Sequence, residues 1–266
     1  EASGVINAGS SLGQFIFAPL SQFLIQTVGW MGAMWTLALA GFGTLPLISR
    51  LASAEKLVHA HHDPAPGTMR AIADAMKDRS YLLLHAGFFT CGFHVAFLVT
   101  HLPGEVSLCG LPPSVASLSL AIIGLGNIAG SLYLGYCVGR YRSKYLLFWL
   151  YASRAVLVAV YLMSPHTATT FYLLSIGFGF SWLATVPPTA AIVGKLFHVR
   201  HLATLFGLTL LSHQTGGFLG AWLGGLAVSM QGDYTWMWYA DMVLALAAAL
   251  VNLPIREAPV VRPAAA

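Results

Sequence analysis

Long apolar runs separated by short polar breaks are the feature that most limits what this chain can fold into. A bilayer core of about 30 Å is crossed by about twenty residues at 1.5 Å each. Runs meeting that requirement fall at about 5–27, 30–48, 81–102, 113–138, 145–163, 168–197, 202–229 and 235–254. They imply an all-α polytopic membrane bundle of about eight transmembrane helices. Charge supports the same reading: 57% of the 266 residues are hydrophobic and only 8% are charged, against about a quarter in ordinary soluble domains. The mean hydropathy is +0.74.

The breaks lie at Val28-Gly29, Ser49 to Ser80, His101 to Glu105, Gly139 to Lys144, Ser164 to His166, His198 to His201 and Gln231 to Asp233. Most are short, so consecutive helices run antiparallel. Alternate breaks then collect Arg50, Lys56, Arg70, Lys77, Arg79, Arg140, Arg142, Lys144, Lys195, Arg200, Arg256 and Arg262 on one side. The other side has no Lys or Arg, and of the thirteen basic residues only Arg154 lies within a span. The positive-inside rule places the long loop and the C-terminus in the cytoplasm. Clustering between spans, with no basic face along any helix, argues against a nucleic-acid partner.

The long break divides in two. His59 to Gly67, with His59, His61 and His62, reads as a breaker-rich solvated linker rather than a metal tract. Thr68 to Ser80 mixes charges with Met69, Ile72 and Met76 and reads as an amphipathic helix on the membrane surface. Cys91, Cys109 and Cys137 have no CxxC spacing and read as small apolar fillers. Neither a metal nor a cofactor is expected. The chain opens at Glu1, without Met, and runs directly into an apolar segment, which suggests a piece of a longer protein.

Polar groups inside hydrocarbon are expensive and mark functional candidates. Gln14, His94, Asn127, Trp182, His213 and Gln214 lie on five different spans, each about 15–21 Å from a helix end at the standard rise. Such convergence suits a solute site near the bilayer midplane. The same residues could equally serve as interhelical hydrogen bonds, worth about 1 kcal/mol each. His94 and His213 could also carry a coupled proton, since imidazole titrates near neutrality. Arg154 needs an anionic partner, and Asp241 is the acid well inside a span at matching depth. A structural Arg154–Asp241 pair is the main expectation, with direct anion binding or snorkelling as alternatives.

Gly216, Gly220 and Gly224, like Gly126 and Gly130, recur every four residues and allow close helix approach, as static packing or as a sliding contact. Pro187-Pro188 should bend its span in the middle and free backbone carbonyls.

The cytoplasmic segment Gly135-Tyr-Cys-Val-Gly139-Arg140-Tyr-Arg142-Ser-Lys144 resembles the G-x-x-x-D-R-x-G-R-R loop of the major facilitator superfamily. It departs at Gly139, where that family has an acid, and at Arg142, where it has a glycine. The long cytoplasmic loop is similar to that family's central loop. Asn7 to Gln14, Trp182 to Pro188 and His213 to Gly220 resemble the branch of monocarboxylate transporters and oxalate–formate exchangers. The resemblance implies that residues 1–49 are the last two helices of an N-terminal half, 50–80 the central loop, 81–256 a six-helix C-terminal half and 257–266 a cytoplasmic tail. The first four helices of the fold would be missing partners. It also implies alternating access, with His94 and Trp182 on cavity-lining helices and Arg154 on a peripheral one.

These readings give a secondary transporter of the cytoplasmic (inner) bacterial membrane, not an enzyme. Its expected partners are the lipid bilayer and a small organic solute, an organic anion such as a monocarboxylate. Proton coupling, efflux of amphipathic compounds and a non-transporting sensor are the open alternatives.

Overall fold

The structure is a computed structural model that describes residues 2–44, 68–197 and 201–258. The linker histidines His59, His61 and His62 lie outside the described residues, as do Arg50, Lys56, Arg200 and Arg262. Among the described residues the secondary structure is helical: α1 (Ala2–Phe42), α2 (Thr68–Ala75), α3 (Arg79–Leu108), α4 (Pro113–Cys137), α5 (Ser143–Met163), α6 (Ala168–Ser181), α7 (Val186–Phe197), α8 (Leu202–Gln231) and α9 (Thr235–Asn252). Six helical stretches are long and apolar enough to cross a membrane, with α6 and α7 forming one of them. The protein is thus an all-α polytopic bundle.

The expected span at 5–27 and the start of the one at 30–48 lie in α1, which is interrupted at Gly29 by a left-handed φ of 73°. A side chain there would be strained, so the break predicted at Val28-Gly29 falls where backbone freedom permits it. The thirty-residue α8 carries no charged residue, yet it is not among the six. Its glycines and the His213-Gln214 pair lower its hydropathy.

Two expectations need correction. The amphipathic segment forms a short α2 with Ala71 and Ala75 buried, while Met69 and Met76 are exposed. Arg79 and Ser80 already belong to α3, whose start is capped by the Asp78 carboxylate accepting from the Tyr81 N–H at 3.0 Å. The expected break at His101 to Glu105 is instead helix. Pro103 removes a single N–H, and α3 continues past it to Leu108 before the chain turns at Gly110, φ 72°. Packing outweighs the Pro-Gly signal there, because His101 is 2.7 Å from the Ala221 carbonyl and Glu105 accepts from Tyr161.

The last six spans pack as two interlocked triplets. α3 lies along α8, α4 along α6, and α5 along α9. The first helix of each triplet therefore packs on the second helix of the other. Glycines set both close approaches. A Cβ at Gly216 or Gly220 would lie 2.0 or 2.3 Å from the carbonyl oxygens of Phe89 and Phe93 on α3, and one at Gly130 would lie 1.9 Å from that of Phe180 on α6. The first half of α1 reaches α4 in the same way: a Cβ at Gly124 would meet the Phe15 backbone N at 2.8 Å.

Beside a small cluster at Leu134, Cys137, Leu150 and Ala184, the core holds two main apolar clusters. One contains Phe97, Val158, Tyr161, Phe171, Phe178 and Trp238; the other contains Tyr81, Leu84, Leu147, Tyr151, Ile192 and Ala248. Each long helix that runs between them carries a buried polar residue at the crossing: His94 on α3, Arg154 on α5, Ser181 at the end of α6 and Asp241 on α9. The basic ends also gather. Lys195 is 2.7 Å from Glu257, the Lys144 backbone N–H donates to the same carboxylate at 2.7 Å, and Arg256 is 3.6 Å from Asp78. Residues assigned by charge alone to one side thus meet at one end of the bundle.

Gly220→Val should push α3 and α8 apart at a backbone contact, at a cost of about 1–3 kcal/mol. Gly217→Ala, whose Cβ would sit 3.5 Å from that of Ala96, should be tolerated. Thermal unfolding in detergent should show a clear drop for the first variant only.

Candidate solute site at a broken helix

Pro187 and Pro188 lack the N–H groups that would bond to the Leu183 and Ala184 carbonyls in a continuous helix. The chain responds by unwinding at Trp182 to Thr185, between α6 and α7, with Trp182 at φ −49°, ψ −84°. Helical bonding resumes as the Thr189 N–H donates to the Thr185 carbonyl at 3.1 Å. Hydrocarbon offers no water to the groups released, so protein must satisfy them.

Arg154 does so on one side. Its Nη2 donates to the carbonyls of Ser181 and, at 2.5 Å, of Trp182. Its Nε donates to Ser181 Oγ at 3.3 Å and its Nη1 to the Cys91 sulfur at 3.5 Å. A guanidinium at the C-terminal end of α6 also faces the negative end of that helix dipole. On the other side Asn127 Oδ1 accepts from the Leu183 N–H at 2.9 Å, and its Nδ2 donates to Ser11 Oγ at 2.6 Å. Asn127 thereby ties α4, the break and α1 together.

The expected Arg154–Asp241 pair is not formed. Asp241 Oδ2 lies 2.6 Å from His94 Nδ1, and the two residues are 0% and 1% exposed. Depth along the helices could not register that a broken helix would give Arg154 backbone acceptors. Among the described residues, none is a hydrogen-bond partner for His94 Nε2, Asp241 Oδ1 or Trp238 Nε1. The His94 ring meets Phe178 edge-on at 4.7 Å and Trp182 at 6.2 Å.

His213 is half-buried against Phe88, with ring centroids 5.0 Å apart, and lies beside the Cys91 thiol. Its Nδ1 is 3.2 Å from Gln214 Oε1, and Gln214 is exposed. Gln14 donates to the Leu120 carbonyl at 3.2 Å. The structure thus brings His94, Asn127, Trp182, Arg154 and Asp241 around one break, with His213 reached through Cys91. Gln14 and Gln214 stand apart. Cys91 is no inert filler, since it contacts Arg154 and lies 3.2 Å from Thr185 Oγ1. Ser11, Ser181 and Thr185 were missed from sequence, although Thr185 is adjacent to the Val-Pro-Pro signal.

The loop motif sits at the basic end. Gly135 is buried, Arg140 lies 3.9 Å over the Tyr136 ring, and Lys144 Nζ donates to the Leu253 carbonyl at 2.9 Å. A separate open groove of about 500 Å³ lies between α3, α8 and α9, lined mainly by apolar groups with His85 and Ser212.

The family profile described as Major Facilitator Superfamily matches residues 1–220 and, in an overlapping match, 110–266. The chain belongs to the Major Facilitator Superfamily. Members of that superfamily are transporters rather than enzymes. Rat monocarboxylate transporter 13 is 25% identical over 265 residues, covering 95% of this chain and 59% of the relative. Monocarboxylate transporter 12 of Xenopus laevis is 25% identical over 262 residues, covering 88% and 56%. The uncharacterized MFS-type transporter YcxA of Bacillus subtilis (strain 168) is 22% identical over 242 residues, covering 88% and 58%. The chain therefore spans less than three-fifths of the length of these relatives, and its resemblance lies with the monocarboxylate-transporter branch.

Arg154→Met should strand the Ser181 and Trp182 carbonyls in the bundle, at about 1–3 kcal/mol for each unsatisfied group. Asp241→Asn leaves those bonds in place. Melting in detergent should fall much further for the Arg154 variant; equal losses would mean that the two side chains act as a unit.

Proposed function

We propose that the whole protein is a secondary active transporter that moves a small organic anion, such as a monocarboxylate, by alternating access, coupled to a proton held by His94 and Asp241. The observation carrying this reading is the His94–Asp241 pair beside the helix break. An acid at zero exposure between transmembrane helices must be neutralised or paired. Here its partner is the side chain whose ordinary titration lies nearest neutral pH. One further proton would convert an ion pair to a cationic site, and one fewer would leave a net negative charge, so the pair's state bears directly on anion entry.

The surroundings of the pair support that role. Arg154 from α5 supplies a fixed positive charge through the Trp182 segment, Cys91 lies one helical turn before His94 on α3 and contacts Arg154, and Trp182 and Phe178 wall off the ring. Broken helices at the bilayer midplane recur at transporter binding sites, because irregular backbone can be accommodated only in protein or beside a cavity. The anion is suggested by the names of the monocarboxylate-transporter relatives, and Asn127 and Trp182 are the residues assigned to meet it. We place the C-terminus in the cytoplasm from the one-sided basic loops. The substrate pathway is completed by helices of the other half.

Uptake of labelled monocarboxylates into proteoliposomes holding the full-length protein tests this. A proton gradient should drive accumulation. His94→Gln and Asp241→Asn should abolish the dependence on that gradient while retaining counterflow exchange. Gradient-driven accumulation that survives in both variants would remove the pair from the coupling.

A further inference from the structure

At the end of the bundle opposite the basic cluster, three side chains of different chemistry converge. Glu105 and Cys109 stand one helical turn apart at the end of α3, and His166 comes from the connection between α5 and α6, just after Pro165. Their carboxylate oxygen, thiol sulfur and imidazole nitrogen all lie within 4.8 Å of one another. We propose that Glu105, Cys109 and His166 form a binding site for a borderline-soft divalent cation, of which zinc fits the donor set best.

The donor chemistry selects the ion. Calcium and magnesium take oxygen ligands, whereas sulfur, imidazole and carboxylate together suit zinc. Zinc–ligand bonds of about 2.0–2.3 Å in a tetrahedron place neighbouring donor atoms roughly 3.5 Å apart. The present spacing therefore needs to contract by about 1 Å, with a fourth position left for water. The contraction is available, because His166 is exposed on a turn while Glu105 and Cys109 are fixed on the helix end.

Two further observations favour a built site over a chance cluster. The Glu105 carboxylate is only 7% exposed, a costly position for an acid at the edge of a membrane bundle. Tyr161 also orients two of the three donors: its hydroxyl donates to Glu105 Oε1 at 2.5 Å, and its ring stacks on His166 at 4.8 Å with an 8° interplanar angle. Ligating carboxylates and imidazoles are commonly held by such outer partners. Burial and the neighbouring Glu105 charge raise the Cys109 thiol above its ordinary pKa, so a bound cation would displace a proton there. Tyr234, from the start of α9, is the other titratable group near Glu105. His101, one turn earlier on α3, has its Nε2 against the Ala221 carbonyl.

A bound ion would tie the end of α3, in the first triplet, to the entry of α6, in the second. Sequence reading did not bring these residues together, because Glu105 and Cys109 were split between an expected break and an apolar filler.

Titration of the purified full chain with cobalt and with zinc tests the site. One equivalent of cobalt should give a thiolate-to-metal charge-transfer absorption band, which zinc should displace. Cys109→Ser should abolish the band, and His166→Ala should weaken zinc binding at least about tenfold. His59→Ala/His61→Ala/His62→Ala should change neither result. Both single variants lie at or near the surface, so their native-like melting can be verified beside binding. Absence of the band, or zinc binding that is lost with the three linker histidines and kept in Cys109→Ser and His166→Ala, would overturn the assignment.

Discussion

Everything in this bundle depends on keeping backbone polar groups paired where there is no water. The break at Trp182 to Thr185 would be untenable in hydrocarbon if its released groups were left alone. Arg154 takes the Ser181 and Trp182 carbonyls, and Asn127 takes the Leu183 N–H. Because those side chains come from α5 and α4, satisfying the break also fixes the first triplet against the second. Asn127 extends the same tie to Ser11 on α1. One local defect thereby joins three parts of the molecule.

The two triplets solve their packing alike. Glycines on α8 admit the backbone of α3, and glycines on α4 admit the backbone of α6. In lipid there is no hydrophobic gain from bringing two apolar helices together, so close van der Waals contact has to supply the attraction. The stripes at Gly216–Gly224 and Gly126–Gly130 thus serve packing between the two triplets, while Gly124 faces α1. With the helices held this tightly, the polar layer between the two apolar clusters becomes a fixed scaffold. His94 and Asp241 belong to that layer without bonding to the break, and each keeps one unpartnered atom. The proposed proton site rests on that contrast between a saturated Arg154 and an unsaturated neighbour.

Much of the architecture was readable because hydropathy and charge act through the bilayer, which is common to all such chains. The spans, the short connections, the one-sided basic loops and the bend at Pro187-Pro188 each follow from a rule concerning one segment and its solvent. The errors have the same origin in reverse. Pro103-Gly104 looked like a break because local propensity was read without the contacts of His101 and Glu105 that hold the helix together. Thr68 to Ser80 looked like one amphipathic element because its division at Asp78 depends on a cap.

The sequence by itself determined that this chain is a membrane bundle and roughly where its long apolar helices run, since length and apolarity alone decide burial in lipid. Only the tertiary structure decided who pairs with whom. From sequence, Arg154 and Asp241 were the two opposite charges expected at matching depth, and their pairing was the natural inference. The fold gave Arg154 the carbonyls of a broken helix and gave Asp241 a histidine. Partner choice depends on which helix faces are turned toward one another, and one-dimensional depth carries no information about rotation around a helix axis.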